Sequence, residues 1–232
     1  YKNNWAFQLR GSVINSDGFI DRANTNLRSA NLTAAKYWDK SVFKTNIMLG
    51  EERTYQAWNG IPQPKFKGDI ANLNRYISSL YISGDDLSNL QNSSGKTYNS
   101  YTYENEVDQY NQNHYQFFFD HSFSKYLKWN SAAYVTTGKG YFEQFKAGEE
   151  VSDYGIDSIH PSGDTSTSAD IIRRRWLDNT LIGGLTSVHF QKNKLDLTAG
   201  IGYSTYSGGH FGEVIATQYT NYEDLNTRYY DN

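Results

Sequence analysis

Residues 113–135, NHYQFFFDHSFSKYLKWNSAAYV, constrain the fold more than any other stretch of the chain. Tyr115, Phe117 and Phe119 recur at every second position, with His114, Gln116 and Asp120 between them and Phe118 as the interruption. After a short polar turn, Trp129, Ser131, Ala133 and Val135 share one face, and Asn130, Ala132, Tyr134 and Thr136 take the other. A period of two marks an extended strand with unlike faces. A helix needs apolar residues three and four apart, and no face here supplies them. The stretch therefore predicts a long β-hairpin. Repeated along the chain, the same pattern gives a large antiparallel sheet with one apolar and one polar face.

Composition agrees. Tyr (20), Phe (12) and Trp (5) are abundant and Pro (3) is scarce, which suits pleated, half-buried surfaces. Mean hydropathy is −0.74, and no run approaches the roughly 18 apolar residues of a spanning helix. A helical membrane protein is excluded. A β-barrel is not, because half of each of its strands faces a wet lumen. The net charge of −3 carries no nucleic-acid footprint, and the absence of cysteine removes disulfide frameworks, zinc ribbons and thiol catalysis. The chain opens at Tyr1 without Met or a signal peptide, as a mature product or an interior piece of a longer chain does.

Other segments follow the hairpin. Residues 4–14 set Trp5, Phe7, Leu9, Gly11 and Val13 against Ala6, Gln8, Arg10 and Ser12. Residues 27–37 make a weaker strand, and 41–52 set Phe43, Thr45, Ile47 and Leu49 against Lys44, Asn46, Met48 and Gly50. A long strand is expected over 171–191 and another over 195–206, while 54–106 and 141–169 read as polar and irregular, with a turn or two of helix at 72–80, and 207–232 reads as a polar aromatic stretch with the start of another strand. Connections near Asp39, Ser124 and Asn193 are short; those after Ile14, Arg53, Gly140 and Tyr206 are long. Short turns on one rim and long loops on the other are the plan of outer-membrane barrels. Trp5, Tyr37, Trp38, Phe123, Tyr126, Trp129 and Phe190 gather near the short turns, as an interfacial girdle would. The expected fold class is all-β: an antiparallel transmembrane β-barrel, or part of one. A soluble β-sheet is the rival reading.

Motifs for catalysis fail on inspection. Ser94-Gly95-Lys96-Thr97 copies the end of a phosphate-binding loop, but Leu90 stands where its first glycine is required. Asn15-Ser16-Asp17-Gly18 with Asp21 has too few carboxylates for a calcium loop and reads as an Asp-Gly turn. His114, His121, His160, His189 and His210 form no i,i+2 or i,i+4 metal pair, and there is no nucleophile elbow. Binding chemistry is better represented. Arg173 and Arg175 share a strand face, where they would attract an anion or pair with acids of neighbouring strands. Tyr55, Trp58, Tyr98, Tyr101 and Tyr103 crowd the longest loop, where they would stack on a planar or sugar-like ligand or on one another. Gln112 and His114 lie on the polar face of the hairpin, as ligand contacts or as a hydrogen-bonding wall.

Together, SDGFIDRA (16–23), TYQAWNGIP (54–62), QNHYQFFFDHSF (112–123), GYFEQFK (140–146), RRRWLDN (173–179) and HFGEV (210–214), in order and over nearly the whole length, resemble the middle of the barrel of TonB-dependent outer-membrane receptors of the Bacteroidetes type. The resemblance implies a 22-stranded barrel of which residues 1–232 are one segment, about a third. It also implies a plug domain not present in this sequence, through which the TonB complex delivers energy. The implied setting is the outer membrane of a Gram-negative bacterium, with outer-membrane lipid and a surface lipoprotein as further partners and with no cofactor or enzymatic activity. The implied task is import of a scarce solute: an iron chelate such as a ferric siderophore first, cobalamin or an oligosaccharide otherwise. Tyr55, Trp58, Tyr101, Tyr103, Gln112, His114, Arg173 and Arg175 would be the ligand contacts. The sequence shows no plug, TonB box or barrel C-terminus, so its residues speak to capture rather than gating. A passive porin, a surface-adhesion barrel and a soluble carbohydrate-binding β-domain are the alternatives.

Overall fold

In the computed structural model, which describes residues 3–159, 165–219 and 227–232, the alternation becomes ladder pairing over most of the chain. β1 (Trp5–Ser16), β2 (Thr25–Tyr37), β3 (Ser41–Tyr55), β4 (Val107–Ser122), β5 (Leu127–Glu150), β6 (Ser168–Lys192), β7 (Leu195–Thr217) and β8 (Thr227–Asp231) form one antiparallel sheet, each strand beside its neighbours in sequence. The expected hairpin is β4–β5.

Direct partners in an antiparallel pair lie on the same face, so the register assigns the two surfaces. One holds the rows Trp5–Lys36–Phe43–Phe119–Ser131–Thr186–Ile201 and Leu9–Leu32–Ile47–Tyr115–Val135–Ile182–Thr205. The other holds Gln8–Thr33–Asn46–Gln116–Tyr134–Gly183–Ser204. On that face Thr33 Oγ1 donates to Asn46 Oδ1 at 3.0 Å, and Asn46 Nδ2 donates to Gln116 Oε1 at 3.3 Å. The first face is bare: Phe7, Leu9, Ile201 and Tyr203 are 71, 79, 75 and 78% exposed. No second layer covers it among the described residues. A two-sheet soluble sandwich would bury these side chains against each other.

The bare face has a defined height. On β5 it runs from Leu127 to Thr137, about 33 Å along the strand and about 25 Å at a barrel tilt. Beyond it Lys139 pairs with Asp178 at 2.8 Å. The aromatic pairs Trp5–Phe7, Phe119–Trp129 and His121–Phe123 cluster at the short-turn end.

Two expectations are corrected. Residues 141–150 are not loop: β5 continues to Glu150 opposite β6, which begins at Ser168 rather than at 171. Residues 207–217 likewise continue β7, whereas the further strand expected within 207–232 is present as β8 at 227–231. Backbone pairing persists there although the side chains have turned polar or vanished at Gly208, Gly209 and Gly212. The segregation of connections holds, with 38–40, 123–126 and 193–194 on one rim and the connections that follow β1, β3, β5 and β7 leaving from the other.

The buried apolar cluster sits on the long-loop side: Val151, Tyr154, Ile159, Ala169, Ile171 and Val214. The 56–106 loop carries α1 (Gln63–Lys67), α2 (Ile70–Ser79) and α3 (Gly84–Asn92), more helix than the sequence pattern suggested. Asp69 caps α2 by accepting from the Asn72 N–H at 3.1 Å. Lys65, buried, donates to the carbonyls of Leu90 and Ser93 at the end of α3.

Candidate functional site

One cross-strand row builds the outer end of the polar face. Phe142 on β5 stands opposite Arg175 on β6, Arg175 opposite Gly212 on β7, and Gly212 opposite Tyr230 on β8. A side chain at position 212 would run into the rings of Tyr229 and Tyr230, so glycine there lets them close over the sheet. The Arg175 guanidinium lies 5.7 Å from the Phe142 centroid and 5.5 Å from that of Tyr230, and its Nε donates to Tyr230 Oη at 3.2 Å. Above this row the 56–106 loop sets Trp58 edge-on to Phe142, centroids 5.3 Å apart, and Tyr101 edge-on to Trp58 at 6.5 Å. Trp58 remains 54% exposed. The cluster Tyr101–Trp58–Phe142–Arg175–Tyr230 thus presents ring faces and a cation to solvent.

Arg173 shares the face of Arg175, as expected. It donates to Tyr154 Oη and Gln144 Oε1, each at 3.1 Å, while its Nε is buried and without a partner among the described residues, as is Tyr229 Oη. The expected alternative, an ion-pair ladder, is realised at the intervening residue. Arg174 turns to the opposite face and pairs with Glu143 at 2.7 Å. Among the described residues no carboxylate pairs with Arg173 or Arg175.

The remaining candidates lie elsewhere. Tyr55 is buried and its hydroxyl donates to the Tyr103 carbonyl at 2.7 Å. Tyr103 donates to Glu143 Oε1 at 2.8 Å; burial and that carboxylate push its hydroxyl pKa well up. Both tyrosines serve the loop's own attachment. Gln112 and His114 are farther along the polar face, lining a cavity of about 700 Å³ with Arg10, Glu52 and Tyr110. His114 Nδ1 is hydrogen-bonded to Thr136 Oγ1 at 3.0 Å. The eight residues are therefore split: Trp58, Tyr101 and Arg175 come together, Arg173 is held beside them on the same face by Tyr154 and Gln144, Tyr55 and Tyr103 hold the loop, and Gln112 and His114 line the wall.

Sequence reasoning missed Phe142 because it lay in a stretch read as irregular, and Tyr230 because the strand expected in 207–232 had no register to place it. It also missed the residues that aim Trp58. Gln56, 1% exposed, donates through Nε2 to the carbonyls of Val107 and Glu143 at 3.1 and 3.0 Å. Asn99, fully buried, donates to the carbonyls of Asp21 and Gln56 at 2.9 and 3.0 Å. Arg22 donates to the carbonyls of Tyr101 and Asn99, each at 2.9 Å. The only signal for Arg22 and Gln56 was their occurrence inside the motifs at 16–23 and 54–62, and Asn99 had none.

This single-layer sheet has a counterpart among solved structures. It superimposes on the ferric-catecholate import receptor Fiu from E. coli K12, in its open form, with a TM-score of 0.62 at 11% identity over 95% of this chain. The likeness is one of fold: an antiparallel sheet that matches part of that receptor's chain. The chain spans 33% of the length of the Fiu chain. No protein-family model and no curated protein matches the sequence.

Proposed function

We propose that the chain is a segment of a single outer-membrane barrel domain in a TonB-dependent receptor, and that its outer rim captures a scarce anionic, aromatic solute for import. The carrying observation is the pairing of a bare apolar face about 25 Å tall with a hydrogen-bonded polar face, on strands whose connections are short on one rim and long on the other. A surface of that size is expelled from water and is at home in lipid. The polar face then lines a lumen, and the Trp58–Phe142–Arg175–Tyr230 cluster stands at its outer mouth.

The chemistry of the cluster favours an iron chelate over a neutral sugar or cobalamin. Two guanidiniums without acid partners attract negative charge, and flat rings stack on catechol-like planes. Fiu is a ferric-catecholate importer, which is consistent with this choice. TonB, a plug domain outside these residues and a surface lipoprotein are the partners of this reading, and the Bacteroidetes type rests on the motifs alone.

Titrating the full-length protein with a ferric catecholate chelate while following Trp fluorescence tests the proposal. Arg175→Glu should weaken binding by about tenfold or more, the scale of one charge-assisted hydrogen bond, with the gel mobility of the folded form unchanged. Wild-type affinity in Arg175→Glu would make that arginine structural. Ion conductance without any chelate binding would point to a passive porin.

A further inference from the structure

The neck of the 56–106 loop holds a carboxyl group to which capture assigns no task. Glu106 is 2% exposed. Its N–H donates to the Tyr103 carbonyl at 3.2 Å and its carbonyl accepts from the Gln56 N–H at 2.8 Å. Its Oε2 accepts from the Phe145 N–H at 3.1 Å. Pairing between β4 and β5 ends at Asp108–Phe142, so Phe145 lies on a stretch of β5 edge that β4 does not reach. The Glu106 side chain stands in for the missing strand there, as the Gln56 amide does at the Glu143 carbonyl.

Charged and titratable groups reach this point from every neighbouring element: Glu143, Lys146 and Glu149 of β5, Arg173 of β6, Asp85 and Asp86 of α3, and Tyr55, Tyr101 and Tyr103 around the neck. Glu143 is answered by Arg174, Tyr103 and Asn105. Glu106 faces a cavity of about 370 Å³ shared with Asp85, Asp86, Glu149 and Lys146, in which acids outnumber the lysine and through which protons can exchange.

We propose that Glu106 is a proton-operated latch on the 56–106 loop: protonated, it keeps the neck shut on β5, and ionised, it lets the neck open and carry Trp58 and Tyr101 away from Phe142. Regulation of capture rests on the function proposed above; the latch itself does not. Burial is the leading influence and, with the Glu143 charge, outweighs the Phe145 N–H and Lys146, lifting the docked carboxyl to about 7 from an ordinary 4.5. A pKa raised by docking means that docking is fully favoured below the ordinary value and is lost as pH rises through about 7. The docking equilibrium should fall by roughly a hundredfold between pH 4.5 and 8.5.

Hydrogen exchange of the ligand-free, full-length protein in lipid vesicles, corrected for intrinsic rates, reads the latch directly. Protection at the Gln56 and Phe145 amides should drop about a hundredfold, most of it between pH 4.5 and 7 with a midpoint between those two values, and Glu106→Gln should stay protected throughout. Glu149→Gln, changed in the same cavity, should keep the wild-type midpoint and covers the case in which Glu106→Gln does not fold. A flat wild-type profile, a Glu106→Gln protein that still titrates, or loss of the midpoint in Glu149→Gln would each overturn the latch. Because no chelate is present, these outcomes are independent of whether the cargo has been named correctly.

Discussion

Two adjacent alanines on β5 separate the membrane reading of the sheet from a soluble one. Ala133 belongs to the bare apolar face, between Phe117 of β4 and Gly184 of β6. Ala132 belongs to the polar face, between Phe118 and Leu185. Both lie midway between Leu127 and Thr137, the limits of the apolar band, so an arginine at either enters at the mid-height of the sheet. With lipid on the apolar side, Ala133→Arg places a guanidinium near the bilayer midplane and costs about 2–4 kcal/mol, a factor of roughly 30 to 900 in the folding equilibrium. Ala132→Arg projects into a wet lumen and costs about 1 kcal/mol or less. In a soluble sheet the order reverses. Ala133 is exposed and its arginine would be tolerated within about 0.5 kcal/mol, whereas Ala132 is half-buried and would suffer more. Urea titrations of the full-length variants folding into phosphatidylcholine vesicles give both values, with the heat-modifiable gel shift as a check on folding. An Ala132→Arg penalty equal to or larger than that of Ala133→Arg refutes the assignment of faces.

The loop attachment yields two further tests. Gln56→Ala leaves the buried carbonyls of Val107 and Glu143 without their amide donor, and should raise loop opening by about 1–3 kcal/mol; limited proteolysis within 56–106 would report it, and an unchanged cleavage rate would show that the neck is held elsewhere. Arg174→Ala strips the cation from a Glu143 that is 1% exposed, costing about 2–4 kcal/mol. Glu143→Gln in the same background should recover much of that loss, because a neutral amide needs no counter-ion; additive losses in the urea midpoint would show that the pair is not coupled.

Legibility in the sequence followed solvent contrast. Where opposite faces meet unlike surroundings, as at Phe117 and Gln116 or Ile47 and Asn46, side chains must alternate and the strands could be read directly. Beyond Thr137 on β5 both faces are mostly polar, and Tyr141 to Lys146 no longer advertise a strand although the β6 ladder continues. The clustering of Arg175 with Trp58 was half visible for the same reason. Each residue type drew notice, but the row Phe142–Arg175–Gly212–Tyr230 depends on register between distant strands, and on a glycine whose use is to leave room. Gln56, Asn99 and Arg22 were invisible: their work is to satisfy backbone carbonyls across loops, and a sequence carries no period for that.

The extended strands give the proposed capture cluster one half built on paired backbone and one half carried by a loop. Phe142 lies five residues beyond Thr137, about 17 Å along β5 and about 12 Å above the apolar band at a barrel tilt. Phe142, Arg175 and Tyr230 are carried on paired backbone and cannot shift without breaking ladder hydrogen bonds, so charge and one ring wall are preset. Trp58 and Tyr101 reach them from a loop whose neck hangs on Gln56, Asn99 and Glu106, a handful of hydrogen bonds rather than a ladder. Opening that neck removes the lid while leaving the cation in place. A ligand should therefore meet Arg175 first and the Trp58 ring second: Arg175→Glu should slow association, and Trp58→Ala should mainly speed release. Stopped-flow binding distinguishes the two, and a Trp58→Ala variant whose association rate falls while its release rate stays constant would refute this order of events.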